Sequence, residues 1–566
     1  MLIERLRFDE VFDEPMLSFN EYIEGIGSED LEVSIAGLIN VSNDKRYLNA
    51  KNLVSTWLIK HPALRLELFN KLRNDQTILN IYSSLKFAEN ILSGDKRRSN
   101  PELKTPEKSL RLLKAYLTIN SEQERLEFID KTKIPESDNF ITTASCFVIS
   151  MNIHDSEFIN VSLSEVLFSQ LGKSIEFFNY LSCREELIPH LKRFLIKHNC
   201  QNWQQWIVEY LNVLACIVTE ENKSEFDLLI PQDDNHQRKC LFLDFMTIER
   251  ANNFDKYDFL SLRSKPLLKV SNNKYRILSK LFTLEKLFKS ILFEFNFEIN
   301  PNLPKENQIS NFRSDHCEKF SEETLLYNIV ERSFPNSWLK IPGSTFVGKK
   351  FDAEPDYYMR YENNLFLFES KDVFLTAEVK QSRNYRQLED ALKKKFYKTE
   401  LNGIVKNSAV LQLVNNIKRV LSGYYAIMDP ETNVNELNIY PILIIHDRTF
   451  DSLGVNQLIR QWFNAEMNLL KNQFNISKVR ELVILNIDKL VLHQDILKAR
   501  KIKLECEIDE YLALTNMEVV NPRSHVRELN PYMHPFSGFL EKSIRSLNLQ
   551  ETPDYITRFV NENLIT

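Results

Sequence analysis

Along most of the first half of the chain, apolar residues recur three and four positions apart, the spacing that lines one face of an α-helix. It predicts helices over Lys51–Ile59, Leu64–Leu72, Leu110–Leu117, Ser162–Leu181 and Trp203–Val218. Their separations vary, so an irregular helical bundle or array is expected rather than a regular solenoid. Trp203, Trp206 and Tyr210 fall at helical spacing and read as core. The pattern changes near Lys265: Pro266–Val270 and Tyr275–Leu278 read as a hairpin around Ser-Asn-Asn, followed by an apolar helix over Leu281–Phe297. Asn300–Asn307 carries two prolines among polar residues and reads as a linker.

Beyond it, two periods alternate. Tyr357–Tyr361 and Leu365–Phe368 are strand formers on either side of Glu362-Asn363-Asn364, residues that tolerate a left-handed backbone. Ile439–Ile445 and Leu482–Ile487 are strongly apolar strand-like runs, and Val455–Lys471 between them turns Leu458, Ile459, Trp462, Phe463, Met467 and Leu470 to one helical face. Strand, helix, strand in that order implies a right-handed crossover and a mixed sheet covered on both faces. Upstream, Ser321 is expected to cap a helix carrying Leu325, Leu326, Ile329 and Val330. Further helices over Pro535–Leu547 and Asp554–Asn563 are expected to pack back on the sheet. The expected fold class is α/β, divided as residues 1–255 mainly helical, 256–310 hairpin, helix and linker, 311–502 the sheet domain, and 503–566 a helical extension.

Composition narrows the function. With 566 residues, 43% hydrophobic and 11% aromatic, the chain can bury several large cores. It holds only 11 glycines and no glycine-rich phosphate loop, which argues against an ATPase or dinucleotide fold. Seven cysteines without a Cys-x-x-Cys pair indicate neither a zinc knuckle nor a disulfide framework, and suit a reducing compartment. No signal-like apolar core opens the chain and no run approaches the roughly 18 apolar residues that span a bilayer, so a cytoplasmic protein without membrane contact is expected. The net charge of −6 hides a basic segment between Lys380 and Arg419 that includes Arg383, Arg386, Lys393, Lys394 and Lys395. Such a segment can neutralise a phosphate backbone.

The hairpin carries the chemistry. With its turn on Glu362-Asn363, Asp356 lies opposite Glu369; with the turn on Asn363-Asn364, it faces Lys371. In either register alternation puts Glu369 and Lys371 on one face with Asp356, and opposed Cβ atoms lie about 5 Å apart. Two carboxylates this close repel unless a cation lies between them, and hard oxygen ligands favour Mg²⁺ or Mn²⁺. The lysine adds fixed positive charge where a phosphate under attack accumulates negative charge.

Pro355-Asp356, a strand-turn-strand interval and Glu369-Ser370-Lys371 closing an apolar strand resemble the PD-(D/E)xK nuclease superfamily over roughly residues 312–502. The resemblance implies a restriction-endonuclease-like mixed sheet flanked by helices. It also implies metal binding by Asp356, Glu369 and the Ser370 carbonyl, with Lys371 positioning water and a first-helix glutamate completing the metal shell. Glu322, on the inward stripe of the first helix, takes that place, with Glu323 as the competitor; both could instead complement a helix N-terminus. Glu378-Val-Lys380 is a rival Glu-x-Lys without a Pro-Asp partner. Gln381 and Tyr385 match a Gln-x-x-x-Tyr pattern found on a helix behind the site in one branch, and Gln387-Leu388 offers another placement. His446 and Asp447 read as hydrogen-bonded structural residues. The implied activity is that of a Mg²⁺-dependent endonuclease, on DNA rather than RNA, in a restriction or anti-phage setting, with the helical half recognising substrate or a protein partner. The alternative is a catalytically silent nuclease fold used as a binding scaffold.

Overall fold

Tyr357 pairs with Phe368 and Tyr361 with Asn364, which sets the hairpin turn on Glu362-Asn363 and puts Glu362 in the left-handed region (φ 47°). Of the two expected registers this is the one that brings Asp356 opposite Glu369. The computed structural model describes residues 4–564 except 43, 45–46, 48, 74–75, 94–104, 128–139, 160, 221–222, 224–226, 252–253, 255–257, 352–353, 383, 402–403, 518–525 and 550–551.

The chain forms two compact units interleaved in sequence. The first comprises Met1–Ile129, Phe158–Gln170 and His198–Leu292, and the second Asp130–Glu157, Leu171–Lys197 and Phe293–Thr566. This division differs from boundaries at 255, 310 and 502, because segments of the helical half belong to the sheet unit. The first unit is mainly helical, including Ser28–Val41, Ile81–Leu92, Thr105–Glu127 and Trp203–Thr219. The hairpin expected near Lys265 is present as Leu267–Ser271 and Lys274–Ile277, and Asp227–Leu229 adds a third strand. Trp203, Trp206 and Tyr210 are buried, with the Tyr210 hydroxyl donating to the Thr283 carbonyl at 2.7 Å, so this cluster is core as expected.

The second unit holds a five-stranded mixed sheet. Its strands are β1 (Leu339–Pro342), β2 (Tyr357–Tyr361), β3 (Asn364–Lys371), β4 (Asn438–Ile445) and β5 (Val483–Asn486), in the order β5-β4-β3-β2-β1. β3, β4 and β5 run parallel, while β1 and β2 are antiparallel neighbours at one side. Leu365 and Leu367 of β3 and Leu443 and Ile445 of β4 share a core with α2 (Tyr385–Phe396), α3 (Ala409–Leu421) and α4 (Val455–Leu470). On the other face Phe366 stacks on Tyr440 at 5.1 Å. A π-helical segment, His316–Leu326, packs against β3 and continues into α1 (Tyr327–Ser333), which lies on α5 (Ile487–Lys498). The sequence therefore yields an α/β fold with the expected strand-helix-strand order. The tail helices Phe536–Ser546 and Asp554–Leu564 belong to the same unit.

Three expectations are corrected. The helix expected over Leu281–Phe297 is broken into Lys280–Glu285, Lys289–Glu294 and a π turn at Phe295–Ile299. The expected linker is instead two 3₁₀ turns, with Asn300 bonded to His190 at 2.9 Å and to the Ile309 backbone at 2.9 and 3.0 Å. The cap expected at Ser321 lies at Asn311, whose side chain accepts from the Ser314 N–H at 3.3 Å. Among the described residues no helix is long and apolar enough to cross a membrane.

Candidate active site

Glu369 and Lys371 continue the phase of Leu365 and Leu367, so the face that buries leucine along β3 ends in a carboxylate and an amine. Glu369 is 0% exposed and Asp356 8%. The Ser370 N–H donates to Asp356 Oδ2 at 2.6 Å, and Lys371 Nζ donates to Glu369 Oε1 at 2.5 Å. Glu369 Oε2 is buried with no hydrogen-bond partner. Buried carboxylate oxygens left this way are costly and call for an explanation. Beside the pair, Asn416 of α3 donates to the Glu354 carbonyl at 3.2 Å, fixing the chain just before Asp356.

Glu322 joins the cluster from the π-helical segment. Burial and then the charges of Asp356 and Glu369 push its pKa up to about 9. Burial, followed by the charge of Asp356, lifts Glu369 to about 8. Burial also raises Asp356, against the pull of Lys371 and the Ser370 N–H. Burial alone would lower Lys371, but Glu369 and Asp356 hold its pKa above the ordinary lysine value. Three carboxyls crowded out of water cannot all ionise without a cation, and the crowding raises the pKa of each. Because the helix begins at Phe312, Glu322 sits well past its first turn and does not serve the N-terminal dipole. Glu322 faces the pair, in hydrogen-bonding contact with Asp356.

The anchor of this segment is a residue with no functional mark in the sequence pattern. Asp372, next to Lys371, accepts from both terminal nitrogens of Arg313 at 2.6 and 3.0 Å and from the Ser321 hydroxyl at 2.6 Å. Burial would raise its pKa, yet Arg313 holds the carboxyl well below the ordinary aspartate range. His316, buried beside Asp372, is lowered to about 3 by burial and stays neutral. An acid directly after Glu-x-Lys was the available local signal; nothing nearby pointed to an arginine 59 positions upstream. His446 bonds the Ser370 hydroxyl at 2.9 Å, and Asp447 accepts from the Thr449 N–H at 2.8 Å, the structural roles expected of them.

The residues expected to bind nucleic acid fall in different settings. Gln381 ends a short helix, Ala377–Gln381, and Tyr385 opens α2 behind an Asn384 cap, so the pair does not share a helix. Tyr385 is 2% exposed, packed in the core near Cys146, and has no face for a ligand. Lys393 pairs with Glu389 at 2.7 Å, Lys395 is half-buried, and Arg386 and Lys394 are exposed. Arg383 lies outside the described residues. In the rival motif Lys380 is buried and paired with Glu157 at 2.9 Å, while Glu378 is exposed.

Among the described residues no group of three or more His, Cys, Asp or Glu side chains is disposed to hold a metal ion. No family model, curated protein or solved structure matches the chain. The chemistry of the site alone carries its functional reading.

Proposed function

We propose that the protein is a divalent-metal-dependent nuclease, most simply a DNA endonuclease, built on a restriction-endonuclease-like core. The observation that carries this reading is the buried Asp356/Glu369 pair beside Lys371 at the carboxyl end of β3, with Glu369 Oε2 lacking a partner. Ligands of open α/β sheets bind at such strand ends. A hard cation commonly takes one or two protein carboxylates and keeps several waters, so two carboxylates suffice. Asp356, Glu369 and the Ser370 carbonyl would hold Mg²⁺ or Mn²⁺, with Glu322 beside them outside the ligand set. When bound, the ion neutralises the carboxylates and supplies Lewis acidity toward water and phosphate.

The chain's own groups supply the rest. Lys371 keeps an ammonium where the phosphate oxygens gain negative charge. The Ser370 N–H fixes the orientation of Asp356, and the burial of Glu369 keeps bulk water from its carboxylate. In-line attack by water leaves a 5′-phosphate and a 3′-hydroxyl, as in the superfamily that the sequence resembles. A restriction or anti-phage role suits such an activity, with the helical unit recognising substrate or a partner.

The test is incubation of the purified protein with plasmid, single-stranded DNA and RNA, with Mg²⁺ and then with EDTA. Cleavage that EDTA abolishes and Lys371→Ala slows by about 100-fold or more is expected. Metal-dependent cleavage at full rate by Lys371→Ala would overturn the site. The second reading, a silent nuclease fold used as a scaffold, draws on the ion pair that already satisfies Glu369 Oε1. It requires that Glu369→Ala and Lys371→Ala both leave the biological effect intact.

A further inference from the structure

Two surfaces flank the carboxylate cluster in sequence, an aromatic one beyond Lys371 and an aromatic and cationic one before Asp356. Past Lys371, the Phe374 ring lies 5.7 Å from Phe293, which stacks on Phe297 at 6.3 Å and 7°. Phe293 is 44% exposed and Phe297 68%, and the Arg313 guanidinium lies 4.6 Å over Phe374. Before Asp356, Arg419 acts electrostatically on Glu354 and lies 6.0 Å from the ring of Tyr424. Tyr424, 40% exposed, meets Phe351 edge-on at 5.2 Å, and Lys349, Lys350 and Lys418 are exposed beside these residues.

We propose that these two surfaces bind single-stranded nucleic acid and lead one strand across Asp356, Glu369 and Lys371. The inference rests on the nuclease reading for what happens between the surfaces. Exposed aromatic rings offer stacking faces to unpaired bases, whereas the bases of a duplex are already stacked on one another. The exposed Lys349, Lys350 and Lys418 beside the second surface match the phosphates of the same strand. A purely apolar protein partner would account for Phe293 and Phe297 but not for Lys349, Lys350, Lys418 and Arg419. Tyr385 of α2 is buried and offers no stacking face of this kind.

Fluorescence anisotropy in EDTA, with labelled oligothymidylate, oligouridylate and a duplex of matched length, reads binding apart from cleavage. Single strands are expected to bind at least about tenfold more tightly than duplex. Phe297→Ala and Tyr424→Ala should each weaken single-strand binding about fivefold or more, and Lys418→Ala should flatten the salt dependence by about one ion. All three positions are exposed, so unchanged melting temperatures certify folding. Preference for either sugar supports the proposal and names the substrate. Equal or tighter binding of duplex, binding unaffected by both aromatic variants, or no binding of any oligonucleotide overturns it. Strand binding that the variants lose, with no cleavage under any metal, would sink the nuclease reading and leave this one. Metal-dependent duplex cleavage untouched by Phe297→Ala and Tyr424→Ala would do the reverse.

Discussion

Glu369 makes the stability of the protein depend on pH in a predictable direction. A carboxyl whose pKa rises on folding binds more protons in the native than in the unfolded state, so its contribution declines as pH rises from the ordinary glutamate value of 4.5 to about 8. The melting temperature of the metal-free protein should fall over that window, and Glu369→Gln should flatten the fall. Mg²⁺ should restore the wild-type melting temperature at the alkaline end and leave that of Glu369→Gln unchanged, which differential scanning fluorimetry reads directly. Asp372 behaves oppositely: held low by Arg313, it contributes fully above the ordinary aspartate range and is lost only as pH falls through its depressed native pKa. Asp372→Asn strands the Arg313 charge and should cost about 3 kcal/mol in urea unfolding. Asp356, Glu369 and Lys371 were legible because hairpin spacing alone aligns them. The burial of Tyr385 was not, since Gln-x-x-x-Tyr spacing does not reveal the helix break that Asn384 caps.

At the scale of elements, the approach of β1 to β2 depends on one small residue. The Gly343 N–H donates to the Asp356 carbonyl at 2.9 Å, and a Cβ there would come within 2.8 Å of the Pro355 carbonyl oxygen. Gly343→Ala must push the Pro355-Asp356 backbone aside. A loss of about 1–3 kcal/mol is expected, together with a fall in kcat larger than any rise in KM; a variant with wild-type stability and kcat would show that this backbone has slack. The strands and α4 were readable from periods of two and 3.6. The π-helical segment was not, because i, i+3 and i, i+4 counting assumes 3.6 residues per turn, and this is why the helix start was misplaced at Ser321.

For the whole molecule, the expected sheet domain over 311–502 lacks part of its own core. Cys146, Ile149 and Ile153 are buried in the cluster that also holds Leu392, Leu413 and Leu458, and Phe177 packs on Phe320 at 5.1 Å. Downstream, Ser537 accepts from the Asn486 N–H at 2.9 Å, and Glu541 accepts from Lys489 and His493 at 2.8 Å. A fragment of residues 311–502 should therefore be insoluble or molten by circular dichroism, while adding the flanking segments restores cooperative melting. Sequence patterning marks many of the helices but not which core each enters, since that choice rests on contacts far apart along the chain. Interleaving also governs when the site comes into being. A chain emerging from the ribosome can complete this unit only after the residues around Ser537 and Glu541 have left the exit tunnel, so translation stalled earlier yields a polypeptide whose sheet lacks part of its helical cover. If the protein cuts nucleic acid, a cell making it is spared truncated products that could do so.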